Sequence, residues 1–119
     1  MQFSNDKPIY IQIIDVVMEK ILSNEWLAGD KIISVRELAA TLEVNPNTVM
    51  RSYEKLQLDE IIVNKRGVGF FVTENAQQRI IELKKETFIE HEVPKFYQTA
   101  KLLKISIEEL TDLYQKLSL

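Results

Sequence analysis

A chain of 119 residues that is 45% hydrophobic has material for one domain, or one domain and an extension, at ~100–200 residues per domain. It contains no cysteine, which excludes disulfide and thiolate chemistry and is compatible with a reducing, cytoplasmic setting. Its 18 acidic residues against 15 lysines and arginines give a formal net charge of -3, so bulk positive charge cannot draw it to nucleic acid, and any such binding must rest on local placement. No apolar run approaches the ~20 residues of a membrane span, and Met1-Gln2-Phe3 opens no signal peptide.

The first predicted helix runs from Pro8 to Ser23. Proline suits its opening turn, and Tyr10, Ile13, Ile14, Val17 and Ile21 form one apolar stripe. Asn24 ends it, because asparagine is the best substitute for glycine in a left-handed cap. Trp26 in the following connector is expected to plug the core. Ala28-Gly29-Asp30 reads as a turn and Ile32-Ile33 as a short extended piece.

Ser34 to Tyr53 reads as helix, tight turn, helix. Ser34 and Glu37 make a capping box, and Val35, Leu38, Ala39 and Leu42 recur on one face. Glu43-Val44 carries the turn. Asn45 caps the next helix and Pro46 takes its first position, giving a second helix over Pro46–Leu58. Val49, Tyr53 and Leu56 share a narrow sector of it, while Asn47, Thr48, Arg51 and Lys55 lie opposite. No acid stands between Val44 and Tyr53. Amides, a hydroxyl and cations are what a major groove requires: donors and acceptors for base edges, and charge for phosphates. The same pattern also fits two core helices whose outer face is merely solvated.

Two β-favouring runs, Ile61 to Asn64 and Phe70 to Val72, flank Lys65-Arg66-Gly67-Val68-Gly69 and predict a hairpin with a cationic tip. A glycine-bearing tip can approach a sugar-phosphate backbone closely. An ordinary solvated hairpin has the same signature. Directly behind a helix-turn-helix, the hairpin reads as the wing of a winged helix.

The order of residues resembles the GntR family of bacterial transcription regulators, and within it the short YtrA-like branch. The carriers are Pro8-Ile9-Tyr10-x-Gln12-Ile13, Gly29-Asp30, Ser34-x-Arg36-Glu37-Leu38-Ala39, Val44-Asn45-Pro46-Asn47-Thr48-Val49, Tyr53-x-x-Leu56 and Gly67-x-Gly69-x-Phe71-Val72. The resemblance implies an N-terminal winged helix that binds double-stranded DNA as a dimer on a two-fold operator. It implies DNA contacts from Arg36, with Ser34 at the same helix start, from Asn45, Asn47, Thr48 and Arg51, and from the wing residues Lys65, Arg66, Gly67 and Gly69. The chain departs from the family in having Asn24 and Glu60 where glycines are usual, Ala28 before Gly29 where a proline is usual, and Ile32-Ile33 where Leu-Pro is usual before Ser34. Pro46 stands where many relatives carry arginine, so their operator sequences cannot be borrowed.

In the last third, Ala76, Ile80 and Leu83 begin a helical stripe that Phe88 and Ile89 continue less regularly. Val93-Pro94 kinks or breaks the run. Phe96, Ala100 and Leu103 form a second stripe. Ser106 and Glu109 make another capping box before a last helix with Ile107, Leu110, Tyr114 and Leu117 on one face. Helices this short cannot bury their faces unaided, so they should pack on the rest of the molecule, on a second copy, or on both; dimerisation is the sharper reading. The resemblance implies a helical dimerisation tail without a large ligand-binding domain, and no small-molecule effector is identified.

The expectation is therefore a mainly α fold with a small β-hairpin: a winged helix-turn-helix over 1–73 and a short C-terminal helical dimerisation region over 74–119. No enzyme is expected, and no cofactor or metal. His91, the only histidine, lies between Glu90 and Glu92 and reads as a solvated surface residue, and Ser4, Ser23, Ser34, Ser52, Ser106 and Ser118 have no nucleophile context. The function expected is a sequence-specific DNA-binding regulator, a dimeric repressor of a promoter such as that of a transporter operon. The competing reading is a winged-helix protein-interaction module without DNA affinity.

Overall fold

The computed structural model describes residues 2–117, so what was expected of Met1, of Ser118 and of the last two residues of the tail lies outside the described residues. Helix α1 spans Ile9–Leu22 and buries Ile13, Ile14, Val17, Met18 and Ile21. Its end is made by Asn24 in the left-handed region, φ 65°, with the Trp26 N–H donating back to the Lys20 carbonyl at 3.0 Å. Trp26 itself is not a core plug. The reversal at Asn24 leaves the indole half-buried on the surface, with the Lys20 ammonium 5.7 Å from the centre of its ring.

Helix α2, Val35–Leu42, starts as its capping box dictates: the Ser34 hydroxyl accepts from the Glu37 N–H at 3.2 Å. It stops at Glu43, φ 56°. Helix α3, Pro46–Leu58, starts where Asn45 accepts the Asn47 N–H at 2.8 Å, with Pro46 in the first turn where no N–H partner is needed. Helix α3 is the centre of the core and packs against α1, α2 and the first wing strand. Val49, Tyr53 and Leu56 are wholly buried, a contribution of ~1.5–3 kcal/mol for each large apolar side chain. The Tyr53 hydroxyl donates to the Ile33 carbonyl at 2.7 Å, and its ring meets Phe70 edge-on at 5.0 Å. Burial pushes the Tyr53 phenol well above its ordinary range, so it stays a donor. Buried Ser52 donates to the Tyr10 carbonyl at 2.8 Å and so ties α3 to the start of α1.

Strands β1, Ile62–Lys65, and β2, Gly69–Val72, pair antiparallel with Ile62 opposite Val72 and Lys65 opposite Gly69. The extended strip before α2 adds to the other edge of β2. The Ile32 N–H donates to the Phe70 carbonyl, the Val72 N–H to Asp30 and the Gly29 N–H to Val72, each at 2.9 Å, and Lys31 bridges Phe71.

The chain forms two compact units, Met1–Glu82 and Leu83–Leu119. The first extends past the boundary expected at residue 73, because the early turns of α4, Ala76–Thr87, belong to it. Ala76 and Ile80 are buried, Gln77 donates to the Ile21 carbonyl at 2.9 Å, and Arg79 donates to the Asp59 carbonyl at 3.1 Å.

The second unit contains a π-helical turn, Phe88–Glu92, then α5, Val93–Leu102, and α6, Ile107–Lys116. The backbone neither breaks nor leaves the helix at Pro94. The turn before it widens, and the Val93 N–H donates to Phe88 five residues back, a register shift that accommodates the N–H proline lacks. Ser106 caps α6 by accepting the Glu109 N–H at 3.1 Å. Of the second stripe only Ala100 is buried; Phe96 and Leu103 are exposed, as are Phe88, Ile89, Ile107, Tyr114 and Leu117. Two short helices offer no second layer to cover these side chains. Phe96, Tyr97, Ile107, Leu110, Leu113 and Tyr114 instead line an open groove of about 340 Å³. Among the described residues no helix is long and apolar enough to cross a membrane.

Candidate nucleic-acid interface

The sequence-selected residues fall into three neighbourhoods of the first unit. At the start of α3, Asn45, Asn47 and Arg51 are exposed and Thr48 is half-buried. The Asn45 carbonyl oxygen is committed to its cap, which leaves its amide NH₂ free to donate. Asn47, Thr48 and Arg51 share a groove of about 420 Å³ with Pro8, Ile9 and Tyr10. The Arg51 guanidinium carbon stands 3.8 Å from the centre of the Tyr10 ring, a stacking distance. Lys55, expected on the same polar face, is held by Asp59 at 3.2 Å.

A second groove, of about 580 Å³, brings Ser34 and Arg36 at the start of α2 together with Met50 of α3 and Gly69 of the wing. The Ser34 hydroxyl is occupied by its cap, whereas Arg36 projects into solvent. Glu37 also lines this groove and is an anion beside Arg36 in sequence.

The third neighbourhood is the wing tip. Lys65 proves to be the last paired residue of β1 rather than part of the tip, and its ammonium lies 4.4 Å from the centre of the Phe71 ring. Arg66, Gly67 and Val68 make the turn. Gly67 has φ +77°, and a Cβ there would meet nothing within 4 Å, so this backbone is open to close approach. Gly69 is glycine because its φ of +139° is a backbone conformation that L side chains rarely adopt; the end of the Lys31 side chain lies over it, with Cε 2.9 Å from where a Cβ would stand. Lys31 is thus a wing cation that sequence reasoning missed. Only its bridge to Phe71 places it there, and a pairing between residues so far apart leaves no local signature.

The cations of the first unit sort by partner. Lys7, Lys20, Lys55 and Arg79 are each held by a carboxylate at 3.0–3.4 Å. Lys31, Arg36, Arg51, Lys65 and Arg66 are exposed, and none is in an ion pair among the described residues. The unpaired cations are those of the two α-helix starts and the wing. Among the described residues no cluster could hold a metal ion, and His91 is exposed.

Residues 9–72 match the model of the gntR family of bacterial regulatory proteins. The chain is 36% identical over 111 residues to the HTH-type transcriptional regulator YhcF of Bacillus subtilis, covering 93% of this chain and 90% of that protein. It is also 36% identical over 111 residues to the HTH-type transcriptional repressor YtrA of the same organism, covering 93% and 85%. A crystal structure of a putative GntR-family regulator from Bacteroides thetaiotaomicron superposes with a TM-score of 0.81 at 45% identity, over 92% of this chain and 95% of that one. The chain belongs to the gntR family of bacterial regulatory proteins: it is a winged-helix transcription regulator that binds DNA, and not an enzyme.

Proposed function

We propose that the chain acts in the cytoplasm as a homodimeric repressor that occupies a two-fold operator and blocks a promoter. Each protomer lays the start of α3 in the major groove, where Asn45, Asn47, Thr48 and Arg51 meet base edges. Arg36, at the start of α2, anchors a phosphate or a base edge, with the first turn of that helix ordered by Ser34. Lys65 and Arg66 follow the flanking backbone or minor groove, and the open backbone at Gly67 lets it come near. The two half-sites lie about one helical turn, ~34 Å, or a multiple apart.

The observation that carries this reading is the sorting of charge. In a chain of net charge -3, the cations of the first unit that have no carboxylate partner among the described residues are those of the α2 and α3 starts and the wing. Exposed cations left unpaired beside amides suit a polyanion with base edges. The exposed apolar side chains of α5 and α6 support pairing of two copies through the tail.

Selection from random duplexes with the full-length protein tests the function. Enriched sequences should carry two-fold symmetry, and log affinity should fall linearly with log salt. Failure to enrich any sequence, with binding to a protein partner instead, would establish the winged helix as an interaction module.

A further inference from the structure

The geometry points to Tyr10, at the start of α1, as a positioning residue that presents Arg51 edge-on to a guanine; the inference rests on the DNA-binding reading above. Tyr10 lies outside the helix-turn-helix and the wing. Its backbone is nevertheless fixed to α3 one residue from Arg51, by the buried Ser52 hydroxyl donating to the Tyr10 carbonyl at 2.8 Å. Its ring then lies 3.8 Å from the guanidinium carbon, in the groove that also exposes Asn47 and Thr48.

A guanidinium stacks through its face and donates through its edge, and all five N–H donors lie in the plane. Stacking on Tyr10 therefore leaves the donating edge free, and no carboxylate among the described residues pairs with it. An unsupported arginine would sample many rotamers and reach phosphates and bases alike. A stacked one offers a fork of fixed direction, and in the major groove the partner for that fork is the O6/N7 edge of guanine. Tyr10 thus sharpens one position of the operator without touching it.

The test uses full-length protein and duplexes selected by the wild type. Tyr10→Leu should lower the preference for guanine at one position per half-site by about tenfold. It should leave the salt slope unchanged, because no phosphate contact is lost. Tyr10→Phe should keep the preference. Arg51→Lys retains the charge but has no fork, and should lose the same preference. In the free protein, the Arg51 side-chain proton resonances should be shifted upfield by the ring in wild type and Tyr10→Phe, and should return to ordinary values in Tyr10→Leu.

Four results would overturn the inference: guanine preference that survives Tyr10→Leu or Arg51→Lys, an unshifted Arg51 in the free wild type, penalties of Tyr10→Leu and Arg51→Lys that simply multiply in the double variant, or loss of binding in Tyr10→Phe, which would make the hydroxyl a direct contact. Should Tyr10→Leu not fold, Arg51→Lys and the free-protein spectrum decide. Absence of any selected duplex would remove the DNA-binding reading and this inference with it. Selected duplexes indifferent to these variants would remove the inference alone.

Discussion

At the scale of single residues, exposure and the absence of a partner decide which side chains can serve a ligand. Arg36 is exposed and in no ion pair among the described residues, so Arg36→Ala should weaken binding to a selected duplex about tenfold or more while changing folding stability by no more than ~0.5 kcal/mol. Fluorescence anisotropy and a thermal melt measure the two effects separately. Glu60 makes the opposite case. Its φ of 63° is a conformation in which an L side chain is disfavoured by ~1–2 kcal/mol. Glycine is usual there in the family that the sequence resembles, and Glu60→Gly should raise stability by about 0.5–1 kcal/mol, read as a higher urea midpoint, because part of the relief is offset by a freer unfolded chain. Asn24, the other glycine replacement, is also left-handed at φ 65°. Arg36 and Arg51 were legible in the sequence, because their place follows from helix starts that their own neighbours encode. Lys31 was not, since its place depends on one strip crossing another.

At the scale of elements, local chemistry wrote most of the boundaries. Ser34 with Glu37, Asn45 with Pro46, and Ser106 with Glu109 each start a helix where predicted, because a side-chain oxygen there satisfies an N–H that the helix cannot. The π-helical turn before Pro94 left no such mark: proline announces a missing hydrogen bond, but not how the backbone absorbs it. Tyr53 is one of the residues that hold the wing to the helices. It reaches across to Ile33 at 2.7 Å and packs on Phe70. Tyr53→Phe keeps the packing and removes the donor, so it should destabilise the protein by ~1–3 kcal/mol, the range for a buried acceptor left unsatisfied. Denaturant unfolding measures this. Amide exchange at Ile32 and Phe70 should quicken with it, as the strip and β2 loosen.

At the scale of the whole molecule, composition was a poor guide and arrangement a good one. A net charge of -3 argues against nucleic acid, yet among the described residues the carboxylates that hold cations of the first unit, Asp15, Glu25, Asp59 and Glu82, lie away from the starts of α2 and α3 and from the wing. The tail stripes were legible as periodicity, but their fate was not, because a pattern does not say which surface covers it. In a single chain Leu102, Leu113 and Tyr114 are 80%, 57% and 79% exposed. If a second copy covers them, the protein should sediment as a dimer, and Leu113→Glu should shift it to monomer with the first unit still folded. A wild-type monomer at micromolar concentration would remove the tail's proposed role. The account stands or falls on which surface meets DNA, and the most direct measurement is the set of amide shifts in isotope-labelled protein titrated with a selected duplex. The account predicts the largest changes at the start of α2, over residues 45–51 and at residues 65–67, with residues 83–117 little affected. Changes confined to residues 83–117, or spread evenly with none at Arg36 and Arg51, would contradict it.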